Sequence, residues 1–449
     1  MTGTTRTLAR YAVQSRFDTL PAAVRREGLR AFVNFIGCAA GGAREEAVER
    51  MLAVVGDYDG GTRTTVIGRR ERLDALNAAL VNSLSSAALA FNDTHYQTVA
   101  HPSSPVGAAA MAVAERRHVS GEELVHAVTL GIELQCRVGM ILSVSPAEVS
   151  VGLSMQGLVG GIGAAVAAGR LMQLDEEGMC AAIGHAVNQI GGLREAHASM
   201  GSPFTPAHAA RCGLFAALLA EKGFTINDTM IEGVKGFAVA YGTRADPHTA
   251  IDRLGEHFEI LSLAYKPYPS GFVTHPVIDV CLEFARDESY DPDDIEKVEL
   301  VVNTLTIQLC NRPEPKDRTQ AFVSFQHWAA VSLTHKAAGV AQVSDAVVAN
   351  PQIAALRRRV VATGRDDVPR EAAGLAVTFK DGRTLRAKVD RCIGSAGVPV
   401  SDDDLTRKTR GQLQAAYDDA TCERIVELCW QVAEASNVDE LFAQLKRAN

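Results

Sequence analysis

The first 265 residues form a succession of helical patterns rich in alanine and glycine, and this feature constrains the fold more than any other. Apolar residues recur at three- and four-residue spacing, and capping or glycine signals bound the segments. No convincing strand pair interrupts them, so this part of the chain is predicted to be all α. The predicted helices cover residues 21–42, 45–55, 73–89, 122–142, 151–170, 175–187 and 207–222, the last with Thr205 as its N-cap.

The pattern changes after the segment 265–270. Residues 295–309 alternate as a strand does, and residues 375–389 predict a hairpin that turns at Asp381-Gly382. Helices are expected at 323–339 and 343–350, and again at 402–418, 422–435 and 438–446. The predicted fold class is therefore mainly α. Residues 1–266 and 395–449 would form one large all-helical domain from both chain ends, and residues 267–394 a small α+β lid domain.

Composition excludes several classes of protein. A net charge of -8 argues against a nucleic-acid surface as the main partner. The nine cysteines are scattered without a CxxC pair, which favours a reducing compartment over a disulfide framework. Residues 1–10 lack the apolar core of a secretory signal, and no stretch reaches about 18 uninterrupted apolar residues. The predicted location is cytoplasmic, without a membrane or nucleic-acid partner.

Residues 91–105 concentrate side chains that can carry chemistry. Ser103 or Ser104 is predicted to cap a helix whose first residue is Pro105. His101 would then lie beside free backbone N–H groups at the positive end of that helix, where anions bind. We predict that this segment forms the floor of an active site for a small anion. Its polar members are Asp93, Thr94, His95, Tyr96, Gln97 and His101.

Motifs for the common cofactors are missing from the sequence. Asp93, His95 and His101 could supply metal ligands, but no HExxH, CxxC or His-x3-His spacing supports them. The glycines of residues 157–163 follow no strand, so helix packing explains them better than a dinucleotide loop. A phosphate-binding GxxxxGK[ST] loop and a Gly-x-Ser-x-Gly elbow are also missing. We predict no metal and no organic cofactor, which leaves acid–base chemistry on an anion.

Lys266 is the most informative candidate because it lies at the junction of the helical and α+β regions, where clefts tend to form. A lysine removed from water has a lowered pKa and can act as a base, whereas beside carboxylates it stays charged and clamps them. The alternative is an exposed loop lysine. Glu133 and Arg137 at i, i+4 could form a surface ion pair or part of the site. Further acid–base candidates are Asp93, Tyr96, His101, His197, His208, Tyr268, His275 and His327, and further cations are Arg194 and Arg211.

Several short motifs follow one another in a specific order and spacing over residues 20–445. They are Asp93-Thr94 with His101-Pro-Ser103, Ser120-Gly-Glu-Glu-Leu, Gly131-Ile-Glu-Leu-Gln-Cys-Arg137, Gly163-Ala-Ala, Pro206-Ala-His-Ala-Ala, and Lys266-Pro-Tyr-Pro-Ser270 with Thr274-His275. This set resembles the MmgE/PrpD family. The resemblance implies a large helical domain with an α+β lid and a homodimer. It also implies cofactor-free chemistry on a polycarboxylate bound in the interdomain cleft.

Five positions differ from the decarboxylase-type members of that family. An aspartate, a lysine, two histidines and a tyrosine of those members are replaced here by Ala90, Thr205, Ser154, Gly271 and His327, in that order. Lys266, Thr94 and His101 are kept. The losses argue against dehydratase and decarboxylase chemistry, whereas epimerisation next to a carboxylate needs only one base and its conjugate acid.

The sequence therefore favours a cofactor-independent epimerase that acts on an amino- or imino-polycarboxylate such as iminodisuccinate. The alternatives are a lyase acting on a tricarboxylate, of the 2-methylcitrate dehydratase or cis-aconitate decarboxylase type, and an inactive scaffold of the same fold. The predicted catalytic residues are Lys266, His101, Tyr96 and His275. The predicted substrate contacts are Thr94, His95, Arg137, Arg194, His208, Arg211, Tyr268 and His327.

Overall fold

A computed structural model describes residues 3–58, 61, 63–395 and 397–446. As predicted, helices dominate the chain up to residue 265. They are α1 (Thr4–Gln14), α2 (Ala22–Gly42), α3 (Glu46–Gly56), α4 (Ala75–Ala88), α5 (Ser103–Arg117), α6 (Gly121–Ser143), α7 (Met155–Leu171), α8 (Glu176–Val187), α9 (Gly201–Glu221) and α10 (Phe237–Tyr241). The short strands among them are β1 (Thr64–Thr65), β2 (Arg72–Leu73), β3 (Asp93–His95), β4 (Glu148–Val149), β5 (Gly242–Thr243) and β6 (Leu263–Tyr265).

The central helices of this part approach one another backbone to backbone. A Cβ atom at Gly131 of α6 would lie 2.6 Å from the carbonyl oxygen of Gly163 in α7, and one at Gly213 of α9 would lie 2.3 Å from that of Gly161. Larger residues would force the helices apart, so the glycines of α7 serve helix packing, as predicted. By length and composition α6 could cross a membrane, but 94% of its most apolar window is buried inside the protein.

After residue 265 the chain builds a four-stranded sheet with helices packed against it. The strands are β7 (Ile295–Asn303), β8 (Val360–Arg365), β9 (Ala373–Phe379) and β10 (Thr384–Val389), in the order β10-β9-β7-β8 with only the β7–β8 pair parallel. The helices are α11 (His275–Asp287), α12 (Thr304–Cys310), α13 (Arg318–Ala321), α14 (Phe325–His335), α15 (Asp345–Val348) and α16 (Pro351–Arg357). The C-terminal helices are α17 (Asp402–Leu413), α18 (Asp419–Gln431) and α19 (Asp439–Leu445).

The structure has two large apolar cores, in agreement with the prediction of a mainly α fold that includes an α+β unit. The first joins residues 8–260 to residues 413–445, and the second draws on residues 273–389 with Leu89. Helix α17 lies close against α2, because a Cβ atom at Gly37 would come within 2.9 Å of the Thr409 backbone. The C-terminal helices therefore pack on the N-terminal part, while the domain boundaries at residues 266 and 394 stay a prediction.

Several predictions about individual elements were wrong. The first 265 residues do contain a strand pair that matters, β3 with β6, in which Asp93 lies opposite Tyr265. Three residues are too few to show alternation in a sequence. Residues 304–310 are helix rather than strand, and β8 was missed because exposed residues break its alternation. Helix α9 starts at Gly201, so Thr205 is not its N-cap and Pro206 lies inside it.

Candidate active site

The pairing of β3 with β6 brings the polar segment 91–105 against Lys266 at one wall of a cavity. The cavity encloses about 120 Å³ between the helical part and the α+β unit. Two positively charged side chains and two histidines line it, and none of the described lining residues is acidic. The lining residues that carry polar side chains are Asn92, His101, Ser154, Gln156, Arg194, His197, Ser202 and Lys266, with Cys310 beside them.

Lys266 is buried, with 1% of its surface exposed. Its Nζ donates hydrogen bonds to the carbonyl oxygen of Ala90 and to Oδ1 of Asn92, both at 3.2 Å. Both acceptors are neutral, and no ion pair to Lys266 is found among the described residues. Burial and the positive charge of Lys408 lower the pKa of Lys266 to about 7, against the opposing charge of Asp93. The prediction of an exposed loop lysine is excluded.

His101 lines the same cavity with one ring nitrogen committed and the other free. Its Nδ1 lies 2.7 Å from the carbonyl oxygen of Asp93 and 3.0 Å from Oγ1 of Thr94. Because a carbonyl oxygen only accepts, Nδ1 must carry the proton, and Nε2 is then an acceptor without a partner among the described residues. Burial and the charge of Lys266 hold the pKa of His101 well below its usual value, so the ring is neutral.

Asp93 occupies the N-terminal end of α5, where the sequence analysis predicts that an external anion binds. Its carboxylate accepts from the backbone N–H of Ser103 at 3.2 Å and from the Ser103 hydroxyl. Helix α5 begins at Ser103, with Pro102 rather than a serine at the N-cap position. The predicted anion site at this helix end is therefore wrong, because a carboxylate of the chain itself fills it. Burial raises the pKa of Asp93, against these hydrogen bonds.

Arg194 brings an unpaired guanidinium to the cavity. Its backbone is fixed by a hydrogen bond from its N–H to the carbonyl of Gly152 at 2.9 Å. The preceding loop lies directly on α7, where a Cβ atom at Gly157 would stand 1.8 Å from the Gly191 carbonyl oxygen. No acceptor for the guanidinium is found in the described part of the chain. Partial burial lowers the pKa of Arg194, so a bound carboxylate would relieve the cost of its desolvation.

His197, on the same loop, was named as an acid–base candidate but missed as a site residue. It lines the cavity, and burial and the charge of Arg194 lower its pKa. Asn92, which holds Lys266, was also missed, because nothing in a sequence distinguishes an asparagine that orients a catalytic group. Three of the five positions that differ from decarboxylase-type members, namely Ala90, Ser154 and Gly271, line the cavity. The side chains that these three replacements remove would therefore have lain in the cavity.

The structure gives Arg137 a role in the fold instead of a substrate contact. It is 2% exposed, and its Nε donates to Oε1 of Glu133 at 2.6 Å. Its Nη atoms donate to backbone carbonyls of residues 250, 252, 253 and 257. Glu133 in turn accepts from the N–H of Ile260 at 2.9 Å. The pair is neither a surface ion pair nor part of the cavity; it anchors the segment that leads to β6 and Lys266.

Two histidines predicted as substrate contacts are also committed elsewhere. His95 is buried and bonded through Nδ1 to Oγ1 of Thr98 at 2.9 Å and through Nε2 to Glu259 at 3.2 Å. His327 is buried in the α+β unit, where its ring nitrogens contact the Gln342 carbonyl at 2.8 Å and Arg357 at 3.1 Å. Neither ring lines the cavity, because hydrogen bonds inside the protein use both nitrogens.

Three aromatic candidates lie behind the cavity wall. Tyr96 donates to Glu371 at 3.3 Å, and burial raises its pKa to about 12, which disfavours a catalytic acid near neutral pH. Tyr268 donates its hydroxyl to Asp279. The His275 ring packs 4.9 Å from the Phe272 ring, and both its nitrogens lack partners among the described residues. None of the three lines the cavity, whereas Phe272, which does, packs against the rings of Tyr96 and His275.

The remaining two candidates are on the outer face of α9. His208 is exposed, and its ring stacks on Phe204 with the ring centroids 5.8 Å apart. Arg211, one turn further along, is exposed as well. Neither residue lines the cavity. Of the predicted set, Lys266, His101 and Arg194 line it, and Thr94 contacts His101. Within the described residues no group of three or more His, Cys, Asp or Glu side chains is placed to hold a metal ion.

Two family models match the chain, the MmgE/PrpD N-terminal domain over residues 6–250 and the MmgE/PrpD C-terminal domain over residues 268–432. Together they cover most of its length, so the chain belongs to the MmgE/PrpD family, as its motifs predict.

Its relatives include the cis-aconitate decarboxylase of Mus musculus, 26% identical over 439 residues that cover 94% of this chain and 89% of the relative. The cis-aconitate decarboxylase of Homo sapiens is 25% identical over 405 residues, covering 87% and 83% of the two chains. That of Aspergillus terreus is 22% identical over 471 residues, covering 99% and 96%. The likeness thus extends over nearly all of each chain.

Proposed function

We propose that the protein is a cofactor-independent lyase that acts on a polycarboxylate, with cis-aconitate as the first substrate to test. The observation that carries the proposal is a cavity with a buried amine at Lys266 and a guanidinium at Arg194 that has no partner among the described residues, none of which adds an acidic side chain to the lining. Such a site attracts carboxylates and can move a proton beside them. The names of the relatives favour this lyase alternative over the epimerase that the sequence favours.

The chemistry needs a group that exchanges protons near neutral pH, and Lys266 is suited to it by its pKa of about 7. A bound polyanion would raise that pKa, so the amine would take up a proton as substrate binds. In decarboxylation the bond to one carboxylate breaks, CO₂ leaves without the bonding electrons, and the carbon skeleton takes the proton of Lys266. The neutral His101 can accept or relay a proton through Nε2, while Arg194 holds a carboxylate that stays.

Epimerisation remains the second candidate because of the replaced cavity residues. Ala90, Ser154 and Gly271 stand where decarboxylase-type members carry an acid and two imidazoles, which removes three groups that could assist bond cleavage. Removal and return of one proton needs fewer groups, and Lys266 with His101 could provide them. The homodimer, the cytoplasmic location and the lack of a cofactor stay predictions.

Incubation in D₂O with cis-aconitate, 2-methylcitrate or iminodisuccinate, followed by NMR, separates these reactions. We expect cis-aconitate to lose CO₂ and to gain one deuterium in the product. The pH dependence of kcat/KM reports the pKa values of the free enzyme. For decarboxylation, kcat/KM should fall as pH rises through about 7, because the reaction needs the protonated amine of Lys266. Inversion of iminodisuccinate with α-deuteration, and a rate that rises through the same pH, would support the epimerase instead. If none of the three compounds is turned over and none raises the thermal stability, the remaining hypothesis is an inactive scaffold of the same fold.

Arg194→Gln is expected to raise KM for the polycarboxylate about 10- to 100-fold with a smaller change in kcat. The guanidinium would form charge-assisted hydrogen bonds to a carboxylate in both the ground and transition states. Steady-state kinetics measures the effect, and Arg211→Gln on the exposed face of α9 is the matched control, with unchanged constants. An unchanged KM in Arg194→Gln, or an equal change in both variants, would remove Arg194 from the substrate site.

A further inference from the structure

A second amine, Lys408, lies beside Lys266 but reaches the site from the other end of the chain. It belongs to α17, and its Nζ donates to the carbonyl oxygen of Phe91 at 2.7 Å and to Oδ1 of Asn34 at 2.8 Å. The same nitrogen stands 4.3 Å from the centroid of the Phe91 ring, where a cation is attracted to the ring face. Lys408 is not among the lining residues of the cavity, so it acts behind the wall.

The two lysines hold successive peptide carbonyls of a single turn. Lys266 binds the carbonyl of Ala90 and Lys408 that of Phe91, and Lys266 also binds the side chain of Asn92. Ala90 has a φ of 49°, a left-handed conformation that a residue with a side chain adopts only when its surroundings enforce it. Lys408 therefore helps to fix the backbone that orients the amine of Lys266.

The charged groups around the two lysines cannot balance two ammonium charges at once. Asp93 acts on both lysines, but its carboxylate is already bound to Ser103 at the start of α5. The groups that face Lys266 come from α2, β3, the following loop, α11, α12 and α17, and they are Cys38, Asp93, His101, His275, Cys310 and Lys408. The cysteines are buried with raised pKa values, and both histidines are neutral, so none of these adds a negative charge near neutral pH.

The hydrogen bonds decide which amine keeps its proton. Lys408 has two acceptors at 2.7 and 2.8 Å and a ring face, whereas Lys266 has two acceptors at 3.2 Å. Burial lowers the pKa of Lys408 as well. Its shorter charge-assisted bonds and the ring nevertheless stabilise its ammonium more strongly than the longer bonds of Lys266 do. The charge of Lys408 then disfavours a second ammonium next to it.

We propose that Lys408 is a positioning residue for the reaction, which acts through Lys266 by fixing the turn at residues 90–92 and by keeping a positive charge beside the reacting amine. The inference rests on the proposed function for the task of Lys266, but its geometry does not depend on the substrate. With this role for Lys408, the C-terminal helices contribute to the site. The positive charge of Lys408 also explains why Lys266, which has no carboxylate partner, can exchange protons at neutral pH.

The test is an NMR pH titration of ¹³C-lysine-labelled protein without substrate, with the Lys266 signal assigned from its absence in Lys266→Met. We expect Lys266 to titrate near pH 7 in the unmodified chain. In Lys408→Met and Lys408→Gln, which remove the charge, the midpoint should rise by roughly one pH unit or more. Lys408→Arg, which keeps the charge, should stay near the value of the unmodified chain.

An unchanged Lys266 midpoint in either uncharged Lys408 variant that folds overturns the inference. So does an equal shift in Lys408→Arg, because a variant that keeps the positive charge would then behave like one that lacks it. The glutamine variant retains a donor for the Phe91 carbonyl, so the comparison survives if the methionine variant fails to fold. Since the titration needs no substrate, a failure of the proposed lyase activity would appear only in the D₂O assay and would leave this result standing.

Discussion

Lys266→Met is expected to lower turnover at least about 100-fold and to leave the protein folded. The substitution removes the one amine that lines the cavity and has a pKa of about 7. Methionine has a similar length and no charge to desolvate, so the free energy of unfolding should not fall. Product formation from the accepted polycarboxylate measures the first effect, and denaturant unfolding measures the second.

Lys222→Met is the matched control, because that lysine is exposed at the C-terminal end of α9, opposite the end that carries the lining residues Ser202 and Pro203. It should retain full activity. A near-normal rate in Lys266→Met would remove Lys266 from the mechanism. A large loss of stability in that variant would contradict the view that Lys266, which is buried without a charged partner, serves catalysis and not the stability of the fold.

Arg137→Met is expected to destabilise the protein by about 3–5 kcal/mol, the usual result of breaking a buried ion pair. The change leaves Glu133 buried without its partner and frees the carbonyls that Arg137 binds in residues 250–257. Urea unfolding measures the loss. The double variant Glu133→Gln with Arg137→Met should recover part of it, because the uncompensated charge is then removed.

Arg407→Met, which breaks an exposed ion pair with Asp404, is the control and should change stability little. If Arg137 bound substrate, as the sequence analysis predicted, its replacement would raise KM while stability stayed the same. That outcome would contradict the buried anchor role. The prediction from sequence failed because i, i+4 spacing shows that two side chains meet but not whether protein or water surrounds them.

Local signals predicted most of the fold. The helices predicted from residues 122 and 175 begin within one residue of those positions, where a Ser120–Glu123 capping box and an Asp175 N-cap start them, and the hairpin turns at Asp381-Gly382 as predicted. Each depends on interactions within a few residues, so a single sequence carries the information. The glycines of α7 were also understood correctly, because they allow the close backbone contacts of α7 with α6 and α9.

The site depends on contacts between distant residues and was only partly predictable. Lys266 and His101 were found because unusual polar residues stand out at a junction between regions. The capture of the helix end by Asp93 was not found, since it depends on a carboxylate that folds back onto Ser103. Lys408 reaches Phe91 across more than three hundred residues, and no local pattern distinguishes it from the neighbouring basic residues Arg407 and Arg410 of α17.

The most direct test of the central claim is a crystal structure with propane-1,2,3-tricarboxylate, a saturated tricarboxylate that lacks the reactive double bond. We expect one carboxylate hydrogen-bonded to the Arg194 guanidinium and a carbon next to a carboxylate within about 3.5 Å of Nζ of Lys266. A tricarboxylate bound outside the cavity, or inside it with Arg194 unoccupied and Lys266 out of reach of its carbons, would show that these two residues do not form the substrate site.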